Sequence, residues 1–193
     1  MTARALVFGV ALTAGLLSAQ RAPFPPRPQN QHKGPSLDAT MKFIQDKLGS
    51  IGRLNYAIEV HDTTNGTNWE NDRSTETTKV RASAQTCRLD WHAWESINEE
   101  FVTLDTDEEL PLKEVQGVAV TPMVQYLKEI YTSAGHPGYM VRVVPPVFAI
   151  MVKRSHDGKI LPSLPLWGLY NESVANDVAE ALVHAVELCG GGK

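Results

Sequence analysis

The stretch from Asn171 to Cys189 constrains the fold most. Val174, Val178, Ala181, Leu182, Ala185 and Cys189 recur at three- and four-residue steps, so they share one helix face. Asn171 is a good N-cap. Glu172 places a negative charge in the first turn, where the helix dipole favours it. The run Gly190-Gly191-Gly192 ends the helix, because glycine reaches left-handed backbone angles at little cost. A helix with one apolar face needs a surface to cover, and much of the chain upstream alternates like β-structure.

The N-terminal residues set the compartment. Arg4 is a short positive region, Ala5 to Leu17 is almost wholly apolar, and Ser18-Ala19 offers small residues for cleavage. This pattern predicts a signal peptide over residues 1–19 and a secreted or periplasmic protein that is not transmembrane after cleavage. The alternative is an uncleaved N-terminal anchor. No cysteine follows the apolar run, so a lipoprotein route is not supported. Residues 20–35 are proline-dense and lack apolar periodicity, which predicts an extended spacer. One globular domain then spans 36–189, followed by a flexible tail, 190–193.

Export gives the two cysteines meaning. Cys87 and Cys189 are the only ones in the chain, and disulfides persist outside the cytoplasm. A bridge would tie the β-region to the end of the terminal helix. Chain entropy gives so long a loop about 4.7 kcal/mol as an upper figure. Two separate buried thiols are the alternative.

Ser36 caps a predicted helix in which Leu37, Met41, Ile44 and Leu48 share a face, closed by Gly49. Leu54, Tyr56, Ile58 and Val60 alternate with polar neighbours as in a half-buried strand. Asn65-Gly66 signals a type I′ hairpin. The polar run Glu70 to Thr77 reads as loop. Thr78–Ala84 and Thr86–Glu95 read as strands, with Cys87, Leu89, Trp91 and Ala93 on one face and Arg88, Asp90, His92 and Trp94 on the other. A short strand at Phe101 is expected to end in a solvated acidic turn at Asp105, Asp107, Glu108 and Glu109, which lacks the spacing and glycine of a calcium loop. Thr121-Pro122 opens an inserted helix with Val124, Leu127, Ile130 and Tyr131 on its apolar face. Val147 to Val152 predicts a central strand buried on both sides. Asp157-Gly158 marks another hairpin, and Pro162 and Pro165 shorten the last strand to about Leu166–Tyr170.

This order predicts an α+β fold: an antiparallel, strongly curved sheet or partly open barrel, with an N-terminal helix, one inserted helix and a long C-terminal helix as cap. Three segments resemble the pleckstrin-homology-like (PH-like) barrel. Leu110-Pro-Leu-Lys-Glu-Val-Gln-Gly-Val-Ala-Val120 looks like its passage between sheets. The hairpin at Asp157-Gly158 looks like its last strand pair, and Leu169 to Ala175 like its entry into the terminal helix. The resemblance implies seven antiparallel strands in two near-orthogonal sheets with a helix plugging one end. Lipid-binding members carry Lys and Arg in the first hairpin loop. Here residues 61–73 hold a single Arg73 against Asp62, Glu70 and Asp72, too little positive charge for a phosphoinositide headgroup.

The formal charge of −4, without a basic run, disfavours nucleic acid. No histidine pair has zinc spacing, although His61 and His92 could meet across strands. Asp90 and Glu95 are a candidate carboxylate pair, expected on the same face only if the strand has no bulge, with surface charge as the alternative. Neither a nucleophile motif nor a phosphate loop occurs, so no catalytic residue, cofactor or metal is assigned. Trp91 and Trp94 have opposite parity, which sends one inward and one outward. Trp91, His92 and Trp94 form the candidate recognition surface, because aromatics dominate interface hot spots; the alternative is Trp94 packed under a helix. The expected function is a non-enzymatic binding domain for an envelope or extracellular protein or a small ligand. The alternative is a secreted hydrolase or metal-dependent enzyme whose site assembles only in the fold.

Overall fold

The computed structural model describes residues 34–99 and 101–192. The expected export signal and nearly all of the proline-rich spacer lie outside them. The described residues form an α+β fold of three α-helices and nine strands in antiparallel sheets that do not close into a barrel.

Helix α1 (Leu37–Gly49) is capped by Ser36, whose hydroxyl accepts from the Ala39 amide, and it buries Met41, Ile44 and Leu48. Strand β1 (Arg53–Asp62) buries Leu54, Tyr56, Ile58 and Val60, as the alternation requires. It hydrogen-bonds to β2 (Asn68–Ser83) on one side and β6 (Tyr139–Val144) on the other. Strands β3 (Arg88–Ile97) and β4 (Phe101–Pro111) complete a sheet in the order β4-β3-β2-β1-β6. A 3-10 turn, Leu112–Glu114, leads to β5 (Val115–Pro122). The second sheet places β7 (Phe148–His156) between β5 and β9 (Leu164–Leu169), with the two-residue β8 (Lys159–Ile160) as a hairpin partner. Helix α2 (Met123–Ser133) follows β5, and α3 (Glu172–Leu188) closes the fold.

Strand β7 divides the interior. Ile150 and Val152 face a core built with α1, α3, β3 and β9, whereas Ala149 and Met151 face a second core built with β1, β6 and α2. Burial on both sides matches the expectation for this apolar run.

Helix α3 keeps its predicted cap, with Asn171 Oδ1 accepting from the Val174 amide. Its buried stripe is Ala175, Val178, Ala179, Leu182, Ala185 and Val186, turned slightly from the predicted face so that Val174 and Ala181 lie at its margin. The helix ends in a Schellman arrangement: the Gly191 amide donates to Val186 O and the Gly190 amide to Glu187 O. The expected flexible tail is docked as far as Gly192, whose amide donates to Val115 O. A Cβ on Gly191 would stand 2.5 Å from the Leu112 carbonyl oxygen, so close backbone approach requires glycine there. Cys87 and Cys189 form the disulfide, with Cα atoms 5.8 Å apart. The bond fastens the last turn of α3 to the turn before β3.

Other expectations are corrected. The polar run Glu70–Thr77 lies inside β2, not in a loop. Its threonines are β-branched, and it pairs with a strand on each side, so the ladder overrides its hydrophilic composition. The acidic cluster is not a turn: β4 runs through it as the edge of the sheet, where charge discourages further pairing. Neighbouring β3 supplies partners, with Arg88 to Glu109 at 3.3 Å and His92 to Asp105 and Asp107 at 3.1 and 2.9 Å. The Asn65-Gly66 hairpin exists, but of these two only Gly66 has positive φ. The Gly66 amide returns to Asp62 O, a longer loop than a two-residue type I′ turn. Thr121 does not cap α2, whose first amide, on Met123, donates instead to Val147 O. Ile130 is exposed rather than on the packed face, and Met123 takes its place. Strand β6 has no counterpart among the predicted elements. Pro165 sits inside β9, tolerated because that strand is an edge and its register shifts there.

Candidate ligand-binding cavity

The inner face of the five-stranded sheet carries charge. In the register of β1, β2 and β3, Tyr56 lies opposite Arg73 and Thr75 opposite Glu95. Residues directly opposite in an antiparallel pair share a face, and diagonal neighbours remain within reach of long side chains. Arg73 and Glu95 are such a diagonal pair. Arg73 Nη1 donates to Glu95 Oε1 at 2.6 Å, and the side chains are 26% and 29% exposed.

These residues line a cavity of about 270 Å³. Its walls are Leu54, Tyr56 and Ile58 of β1, Arg73, Thr75 and Thr77 of β2, Ala93 and Glu95 of β3, and Leu104 of β4. Opposite stand Met123, Tyr126 and Leu127 of α2 and Pro165 to Gly168 of β9. The sheet is bent to hold this space. Lys79 adopts φ 53° at a register shift between Thr78 and Arg81, a bulge that strengthens the local twist of β2.

Two buried donors belong to residues of the cavity wall. Arg73 Nε and Trp167 Nε1 are buried and have no hydrogen-bond partner among the described residues. Trp167 is 3% exposed and its ring packs on Trp91, with centroids 4.8 Å apart. Both nitrogens have almost no accessible surface, so they lie behind the lining and are not open to a molecule in the cavity. Burial pushes the Tyr56 phenol up to about 12; Glu95 adds to the rise and Arg73 opposes it. Tyr56 therefore stays a neutral phenol, able to donate, through the physiological range. Burial raises the Tyr126 phenol as well.

The sequence-predicted surface residues separate. Trp91 is 4% exposed and belongs to the core, so it offers nothing to a partner. His92 and Trp94 are half-buried and have the opposite strand parity to Trp91. Trp94 also lines the cavity, and the Arg53 guanidinium covers its ring at 4.5 Å from the centroid. His92 is held between Asp105 and Asp107, and its hydrogen bond keeps the Asp107 carboxyl below the usual range. His61 pairs with Asn68 on β2 instead of meeting His92. Asp90 and Glu95 point to opposite faces, because the β3–β4 irregularity falls after Glu95 rather than between them. Asp90 binds Arg88 at 2.9 Å.

A wider groove lies near Trp69, Tyr139 and Met140. Two pairs of its polar groups are joined: Glu59 binds Arg142 at 3.0 Å and His61 binds Asn68 at 2.7 Å. Its aromatics pack on one another, Trp69 edge-on to Tyr139 at 4.9 Å and His136 stacked on Tyr139 at 4.7 Å.

Composition hides Arg73, because the segment Glu70 to Thr77 is polar throughout although it lies in β2. The alternation Asn71, Arg73, Thr75, Thr77, opposite the apolar face of β1, is the signal that could have found it. Comparison with family models, with characterised proteins and with solved structures returns no match.

Proposed function

We propose that this chain is an exported, non-enzymatic binding domain, and that the cavity between the inner sheet face, α2 and β9 holds a small ligand. The observation that carries this reading is the joined Arg73–Glu95 pair, only partly buried and set among apolar residues that line one concave space. Apolar walls with a few convergent polar groups are what small-ligand sites provide. The residues lining the cavity include no histidine or cysteine, and Glu95 is tied to Arg73, so the walls do not favour the hydrolase alternative. Export is supported by the disulfide, which suits an oxidising compartment. No helix among the described residues is long and apolar enough to cross a membrane.

A PH-like layout is retained as part of the proposal. Setting aside β6, β8 and α2 leaves seven antiparallel strands in two sheets and a terminal helix, which supports it. The binding site would then lie inside the fold rather than at the first hairpin loop.

Ligand-observed NMR with a fragment library, on the native protein and on Ala93→Leu, tests the cavity. The reading predicts fragments that compete with one another and lose binding when the leucine fills the space. An absence of hits, or hits kept equally by a folded Ala93→Leu protein, contradicts it.

A further inference from the structure

We infer that the β7–β8 hairpin is a membrane-association site, which sinks Ile160, Leu161 and Leu164 into the interface of a bilayer carrying anionic lipids. This goes beyond the ligand reading and is independent of it, because no residue of 153–164 lines the cavity.

The hairpin stands out from the second sheet. Pairing of β7 with β5 ends at Arg154 and with β9 at Val152, whereas β7 runs on to His156 and turns at Asp157-Gly158. Three large apolar side chains lie along this end of β7. Ile160 pairs with Ser155, the Leu161 amide donates to Arg154 O, and Leu164 pairs with Val152. Ile160 is 64% exposed, Leu164 45% and Leu161 36%. Scattered exposed aliphatics are ordinary, but neighbouring ones form a patch, and a patch marks a surface that another apolar phase covers.

Charge identifies that phase. Lys153, Arg154 and Lys159 flank the patch, and Lys113 lies on the 3-10 turn whose Glu114 carbonyl accepts from Ser155 Oγ. Within the turn and the hairpin the opposing acids are Glu114 and Asp157, and both face His156, at 3.6 and 3.5 Å. The local balance is therefore positive in a chain of formal charge −4. Lysine and arginine stems can follow the apolar side chains inward while their charged heads stay at the level of the headgroups. Cations near an anionic leaflet add attraction, and burial of the aliphatic chains supplies the rest. A second run of exposed apolar side chains, Phe101, Val102 and Leu104, leads into Asp105, Asp107, Glu108 and Glu109, which such a leaflet repels. Of the two runs, the hairpin is the one that fits a lipid surface.

The test is co-sedimentation of the purified protein with vesicles of phosphatidylcholine alone and of phosphatidylcholine mixed with phosphatidylglycerol. Binding to the mixed vesicles is expected to be about tenfold tighter and to weaken as salt screens the headgroups. Ile160→Ser with Leu164→Ser should remove most of it, and so should Lys153→Gln with Lys159→Gln. All four side chains are exposed, so circular dichroism should show the native fold in both double variants. Should either not fold, Ile160→Ser and Lys159→Gln as single changes decide. No binding to either vesicle, equal binding to both, or binding unchanged in both folded variants overturns the inference. Loss in the lysine variant alone shows a headgroup contact without insertion, and overturns the role given to Ile160 and Leu164.

Discussion

At the scale of single residues, the cavity depends on Tyr56, Arg73 and Glu95, which strand register brings together from positions 17 and 22 apart in the chain. Tyr56 is a direct reporter of this environment. An ordinary tyrosine ionises near pH 10, whereas Tyr56 in the fold ionises near 12. The raised value means that the folded state favours the neutral phenol. The associated stability is present below pH 10 and is lost as pH rises from about 10 through 12. By the linkage constant the loss is about 2–3 kcal/mol. Spectrophotometric titration should show Tyr56 among the last of the five tyrosines to ionise. Urea unfolding at pH 9 and pH 11.5 should show a steeper loss of stability for the native chain than for Tyr56→Phe. Parallel losses would mean that the phenol is not shielded as described.

The readable residues were those with a local rule behind them. Ser36 and Asn171 cap helices because short polar side chains reach the free amides of the first turn, and both do so here. Trp91 and Trp94 obey strand parity, one inward and one outward. What parity did not show is the Arg53 side chain over Trp94, since that contact comes from β1, two strands away in the sheet.

At the scale of elements, β7 and α3 were legible because burial imposes long apolar patterns. Strands β2, β4 and β6 were not. Residues 70–77 and 105–109 are polar, and what makes them strands is pairing with neighbours distant in sequence. Strand β6 is short and alternates weakly at one end, with Met140 and Val144 exposed. Where β6 ends, Tyr170 takes over the free edge of β1: its hydroxyl accepts from the Asn55 amide and donates to the Asn55 carbonyl, each at 2.7 Å. One phenol does the work of a strand residue at that point, and it ties the entry of α3 to the first sheet.

The disulfide acts at the same scale. Cys189 caps α3 and Cys87 sits in the turn ahead of β3, both in contact with the larger core. Replacing both by serine should cost about 2–4 kcal/mol, since a bridge between distant positions chiefly constrains the unfolded chain. Helix content should be retained, because the buried stripe of α3 and its glycine closure remain. Chemical denaturation followed by circular dichroism measures both. Unchanged stability, or loss of α3 in the folded variant, would contradict this role.

At the scale of the whole molecule, two antiparallel sheets and three helices enclose two cores that meet at β7. The cavity lies where the curved inner face of the first sheet faces α2 and β9, and its walls come from six separate elements. No single segment carries its signature, and of Trp91, His92 and Trp94 only Trp94 lines it. The fold class was readable from periodicity and turn chemistry, whereas the site needed the register of three strands. The most direct measurement is a crystal structure of the protein grown with a fragment that binds in the NMR screen. The account predicts the fragment inside the cavity, against Arg73 and Glu95 and along Leu104 and Leu127. An empty cavity at saturating fragment, or a fragment bound only elsewhere on the surface, would contradict it.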